Sequence, residues 1–127
     1  MTNNPIKDIE TMMLHYGFKP SQLTQERLKF RFDLLQEEVN ELMQARIDKN
    51  APEVVDALID ICVIALGTLH LAGCDVNHAW AEVQKANMAK LKGTKPGRPS
   101  DGWDLYKPLN WKSPNHDTNV GNLPTLL

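Results

Sequence analysis

From Pro52 to about Ala72 runs a stretch that is apolar on nearly every side and yet carries three carboxylates, Glu53, Asp56 and Asp60. A helix that is apolar all round expects burial. A carboxylate drawn into such surroundings needs a cation or a hydrogen-bonding partner. At about 100° per residue the three acids fall within a sector of roughly 60°, which continues as Val63 and Gly67. They are therefore expected at the edge of a packing surface. Asp is a poor mid-helix residue, and the neighbours of Asp56 and Asp60 are Val, Ala, Leu and Ile.

A second acidic cluster, Glu37, Glu38 and Glu41, lies upstream in Leu34-Leu-Gln-Glu-Glu-Val-Asn-Glu-Leu. Glu38 and Glu41 share a helix face beside Leu35, Val39 and Leu42, while Glu37 points toward the polar side. On spacing alone this cluster reads as a solvated face. Taken with Glu53, Asp56 and Asp60, it favours a metal site. Clustered carboxylates repel strongly at low dielectric, and hard divalent ions with oxygen ligands relieve the repulsion. Mg²⁺ suits a site that also binds substrate phosphates. A pair or trio of such ions polarises a phosphoryl group and neutralises departing pyrophosphate. Neither Cys/His spacing for zinc nor a glycine-rich phosphate loop with Lys and Ser or Thr is present.

The periodicity predicts four helices. The first runs from Pro5 to Tyr16, capped by Asn4, with Ile6, Ile9, Met13 and Tyr16 on one stripe. The second runs from Gln25, capped by Thr24, to about Asp48, with Leu28, Phe32, Leu35, Val39 and Leu42 inward. The third is the apolar helix, stopped by Gly73. The fourth spans about Asp75 to Leu91, with Val76, Ala79, Trp80, Val83 and Ala86 inward. At Gly93 the composition shifts: from that residue to Leu127 lie four of the seven glycines and five of the eight prolines, without helical period. Trp103, Leu105, Tyr106, Leu109 and Trp111 argue against a disordered tail. The expected organisation is a core over residues 1–92 and an extended arm over 93–127.

With 127 residues and 42% hydrophobic content the chain suits one globular domain. A formal charge of -2 gives no basic field, so no nucleic-acid partner is expected. The longest unbroken apolar run, Ile61–Leu66, is short of a membrane span. No secretory signal is expected from Met-Thr-Asn-Asn-Pro, and Cys62 and Cys74 are expected as buried fillers, which together read as cytoplasmic. Among the remaining residues, Lys90, Lys92, Lys95, Arg98 and Lys107 are candidates to gather around polyphosphate. Trp103, Tyr106 and Trp111 either stack on a base or anchor the arm.

The Glu-Glu-x-x-Glu of the second helix, followed by an acidic x-x-Asp pattern in the third, resembles the all-α nucleoside triphosphate pyrophosphohydrolases of the MazG-like superfamily. That group includes dimeric dUTPases, dCTP pyrophosphatases and phosphoribosyl-ATP pyrophosphohydrolase. Small phage-type members are particularly similar, through Arg31-Phe-Asp-Leu-Leu-Gln-Glu-Glu, Glu53-Val-Val-Asp-Ala-Leu-Ile-Asp, Ala86-Asn-Met-Ala-Lys and Lys107-Pro-Leu-Asn-Trp-Lys-Ser-Pro. The resemblance covers about residues 25 to 114. It implies hydrolysis of a (d)NTP to the monophosphate and pyrophosphate, in the host cytoplasm if phage-encoded, with a tilt toward dGTP-type purine deoxynucleotides. It implies two or more Mg²⁺ ions, or Mn²⁺, on Glu38, Glu41 and Asp60 with Glu53 or Asp56. Glu37 would be a further ligand or the residue that orients the attacking water. Many relatives carry Glu where this chain has Ala57, so the ligand pair in the third helix stays open. Asn87 and Lys90 match substrate-facing positions, and Lys95 and Trp111 join them as candidate substrate contacts. The implied fold is an all-α bundle completed in a homodimer or homotetramer, with an extended C-terminal arm. Phosphoribosyl-ATP hydrolysis and a non-catalytic helical dimerisation module are the alternatives.

Overall fold

The computed structural model describes residues 4–127 and is mainly helical, in agreement with the all-α expectation. Met1 to Asn3, on which part of the N-terminal reading rests, lie outside the described residues. Four helices form where the periodicity places them: α1 Pro5–His15, α2 Gln25–Ile47, α3 Ala51–Leu71 and α4 Val76–Met88. Local chemistry sets their starts. The Asn4 side chain accepts the Lys7 N–H at 3.1 Å, Thr24 accepts that of Arg27 at 3.2 Å, and Asn50 accepts that of Glu53 at 3.2 Å. Each satisfies a backbone donor that the first helical turn leaves orphaned. Gly73, at φ +85°, stops α3 as expected.

The chain forms two compact units, Met1–Val76 with Val120–Leu127, and Asn77–Asn119. In the first unit α2 and α3 make the most extensive helix contact, and α1 packs on α3. Its core gathers Leu23, Leu28, Ala72 and Cys74, with Leu69, Leu71, Leu123 and Leu126 against them. The last residues enter through a backbone contact: the Asn122 N–H donates to the Ala72 carbonyl at 2.8 Å. Gly121 makes that approach possible, because a Cβ there would collide with the Ala72 oxygen. In the second unit α4 is followed by a hairpin of two three-residue strands, β1 Leu91–Gly93 and β2 Asp104–Tyr106, with Leu91 opposite Tyr106.

Several inward assignments fail in the single chain. Tyr16, Phe32, Trp80 and Val83 are exposed, and so is Cys62, whereas Cys74 is buried. The two other helices of the first unit cannot surround α3, so its apolar outer face, with Val55, Leu58 and Ile59, remains open. Taken whole, α3 is long and apolar enough to cross a membrane by length and composition, although its longest unbroken apolar run is not. Only 11% of its most apolar window is buried.

Candidate functional site

The acidic residues belong to the α2–α3 pair of the first unit. Val39, Leu35 and Leu42 turn α2 toward its neighbours, which carries Glu38 half into the packed surface while Glu37 and Glu41 stay exposed. On α3 the fully buried position is Ala57. Its small side chain sits where the resemblance puts a carboxylate, flanked in sequence by exposed Asp56 and, three residues on, half-buried Asp60. Alanine has no side-chain donor atom, so the ligand role cannot rest there.

Four carboxylates act on one another. Glu38 is held above the ordinary carboxyl range, first by burial, then by the charge of Glu41 and a hydrogen bond with it, then by Asp60 and Asp56. Asp60 is raised in the same way, by burial and then by the charges of Asp56 and Glu41 and a hydrogen bond with Asp56. Glu38 Oε2 is buried without a hydrogen-bond partner. A buried carboxylate oxygen left unmatched, beside three further acids, is an oxygen-rich donor set lacking its positive charge. Hard divalent cations fit that chemistry. Among the described residues, however, no three His, Cys, Asp or Glu side chains converge closely enough to hold a metal ion as they stand. Glu53 takes a different place, half-buried in the first turn of α3, where the helix dipole favours an acid.

Two features of this unit carried no role in the sequence reading. The half-buried Arg31 guanidinium donates to Thr68 Oγ1 and to the Ile64 carbonyl, each at 3.0 Å, and ties α2 to α3 beside Gly67. Its heading of a quoted motif was the available signal. A cleft of about 430 Å³, lined by Phe18, Leu23, Phe30 and Leu71 with Arg27 and Arg31, lies apart from the acidic residues in the chain.

The candidate substrate contacts Asn87, Lys90, Lys95 and Trp111 all belong to the second unit. Lys90 and Trp111 come together, with the ammonium 5.5 Å from the ring centroid. Trp111 is anchored by its Nε1–H, which donates to the Ala86 carbonyl at 2.8 Å. Asn87 is exposed at the end of α4, and its carbonyl accepts the Lys90 N–H at 3.1 Å. Lys95 stands further along, paired with Arg98 through the backbone. The five basic residues expected around polyphosphate do not form one group. Arg98 is committed to Asp104 in a two-point ion pair at 2.7 and 2.8 Å, which holds that carboxyl below its usual range, and Lys92 lies over Trp103. Trp103 is 87% exposed and does not anchor the arm, whereas Trp111 does.

A family model described as phosphoribosyl-ATP pyrophosphohydrolase matches residues 7–87, which covers most of α1, all of α2 and α3 and nearly all of α4. No match was found among curated proteins.

Proposed function

The chain belongs to the phosphoribosyl-ATP pyrophosphohydrolase family, within the MazG-like nucleotide pyrophosphohydrolase superfamily, and from that premise we propose that it is a metal-dependent nucleoside triphosphate pyrophosphohydrolase. It cleaves a (d)NTP to (d)NMP and pyrophosphate, with preference for a purine deoxynucleotide of the dGTP type. The likeness of Lys107–Pro114 to phage-type tails supports that preference. The observation that carries the reading is the four-carboxylate group of Glu38, Glu41, Asp56 and Asp60 with its unmatched buried oxygen.

In this reading Glu38, Glu41, Asp60 and one of Asp56 or Glu53 hold Mg²⁺ or Mn²⁺, two or more ions per site. When bound, the ions polarise the phosphoryl group and neutralise the leaving pyrophosphate. Glu37, exposed next to Glu38, orients the attacking water and takes its proton. Water oxygen adds to the α-phosphorus, and the bond from that phosphorus to the bridging oxygen breaks, leaving pyrophosphate with the electron pair. Lys90 and Lys95 contact phosphate, Asn87 the sugar and Trp111 the base. The open face of α3 supports a homodimer or homotetramer. Burying it in a membrane would carry Asp56 and Asp60 with it, at about 2.5–3.5 kcal/mol for an Asp near a membrane centre.

A second reading, hydrolysis of phosphoribosyl-ATP, is favoured by the description of the matching family. The same bond is cleaved, so the substrate is what separates the two. A panel of canonical and modified (d)NTPs with phosphoribosyl-ATP, each with Mg²⁺ or Mn²⁺, resolves them by chromatography of the products. Monophosphate with pyrophosphate from dGTP is the expected outcome. Turnover of phosphoribosyl-ATP alone would select the second reading, and turnover of nothing would favour a non-catalytic helical module. Glu41→Gln and Asp60→Asn are each expected to abolish turnover with unchanged helical circular dichroism; retained activity in both would overturn the metal cage.

A further inference from the structure

Charge is divided unevenly along this chain. Residues 77–119, the second unit, contain seven Lys and Arg against four Asp and Glu, a formal +3, while the rest of the chain stands at -5. Among the described residues, Arg98 is the only one of those seven with a carboxylate at ion-pair distance. Lys90 and Lys107 stand one residue outside the end pair Leu91↔Tyr106, so they face each other across the open end of the hairpin. Like charges in that position destabilise a strand pair. Both ammoniums rest instead over the Trp111 indole, 5.5 and 4.8 Å from its centroid, where the negative face of the ring partly offsets their repulsion. The Nε1–Ala86 bond holds the ring, and a groove of about 550 Å³ lined by Ala86, Ala89, Pro108 and Lys112 opens around it.

Glu82 also lines this groove, where its carboxylate accepts the Asn115 N–H at 3.2 Å, but neither ammonium on the indole is paired with a carboxylate. Two converging ammoniums left unpaired in this way make an anion site. An indole beneath them adds a face for a flat ring. We propose that Lys107 and Trp111, with Lys90, form a nucleotide-binding site in which the ammoniums move onto phosphate oxygens and the vacated indole stacks the base. The proposal rests on the pyrophosphohydrolase reading for its choice of ligand. It adds Lys107 as a phosphate contact, and places the reading of the base in the arm, beyond the residues 7–87 that the family model matches.

Binding is measured on the full chain in EDTA, where metal-dependent contacts and turnover are absent, by calorimetry with dGTP, tripolyphosphate and oligo-dT. Lys107→Met should weaken dGTP and tripolyphosphate alike, by about tenfold for one charge-assisted contact. Lys7→Met, the same charge change on α1, should leave both unaltered. Trp111→Ala should weaken dGTP and spare tripolyphosphate, with Trp111→Phe restoring dGTP binding. A Lys107→Met variant that binds like Lys7→Met overturns the site, whatever Trp111→Ala does. Oligo-dT bound more tightly than dGTP, with the same loss in Lys107→Met, would overturn the mononucleotide in favour of single-stranded nucleic acid. The two readings fail separately. No turnover of any nucleotide with Mg²⁺, while dGTP still binds in EDTA, removes the enzyme and keeps the site. Turnover with Lys107→Met binding unchanged removes the site and keeps the enzyme.

Discussion

At the scale of single residues, the Glu38 and Asp60 carboxyls hold protons more tightly in the folded chain than in the unfolded one. Between the ordinary carboxyl range and their raised values, the folded state therefore binds more protons, and stability falls as pH rises through that window. Once ionised, both repel the neighbouring carboxylates of Glu41 and Asp56. Glu38→Gln removes one charge from the group. In thermal melts with EDTA it should raise the neutral-pH midpoint and flatten its decline from mildly acidic to neutral pH. Adding Mg²⁺ should raise the wild-type midpoint, since an ion that binds only the folded state stabilises it by mass action. A lower midpoint for Glu38→Gln in EDTA would show that the carboxylate is held by favourable contacts. The acids themselves were legible from their spacing. Which four of six act together was not, because Glu37 and Glu53 share the same sequence pattern and differ only in where packing turns them.

At the scale of elements, starts and stops were written locally. Asn4 and Thr24 cap the helices expected of them, and a cap depends only on the three residues that follow. The turn into α3 is tighter than its composition implies. Lys49 takes φ +54°, a left-handed conformation that costs a residue with a Cβ about 1–2 kcal/mol. Glycine relieves that strain but gives more entropy to the unfolded chain. Lys49→Gly should therefore gain about 0.5–1 kcal/mol, read as a higher urea midpoint at unchanged slope. The hairpin escaped the sequence reading because three-residue strands have too few positions to show alternation. Its register comes from pairing across the loop, with the Arg98–Asp104 ion pair and the Tyr106 ring over Gly93 as its supports.

At the scale of the molecule, the closing residues and the open face of α3 matter most. Gly121 lies at φ +55° against the Ala72 carbonyl, so Gly121→Ala meets both backbone strain and a collision with main chain. It should cost about 1–3 kcal/mol in chemical denaturation. No loss would mean that the last residues contribute little to the first unit. The exposed Val55, Leu58 and Ile59 predict association through α3. Ile59→Glu should shift the protein to monomer in sedimentation equilibrium, with helical content retained. A wild type already monomeric at high concentration would overturn the oligomer.

Helix number, helix ends, the two acidic motifs and the all-α class were determined by the sequence, because each depends on the periodicity or capping of neighbouring residues. Only the tertiary structure decided that Ala57 is sealed in the packing, that Glu38 keeps an unmatched oxygen, that Arg98 is spent on Asp104, and that Lys90 and Lys107 meet on Trp111. Each of these joins residues on different elements or separated by a loop. A one-dimensional pattern records which face a side chain takes on its own helix or strand, but not which neighbour occupies the space it faces.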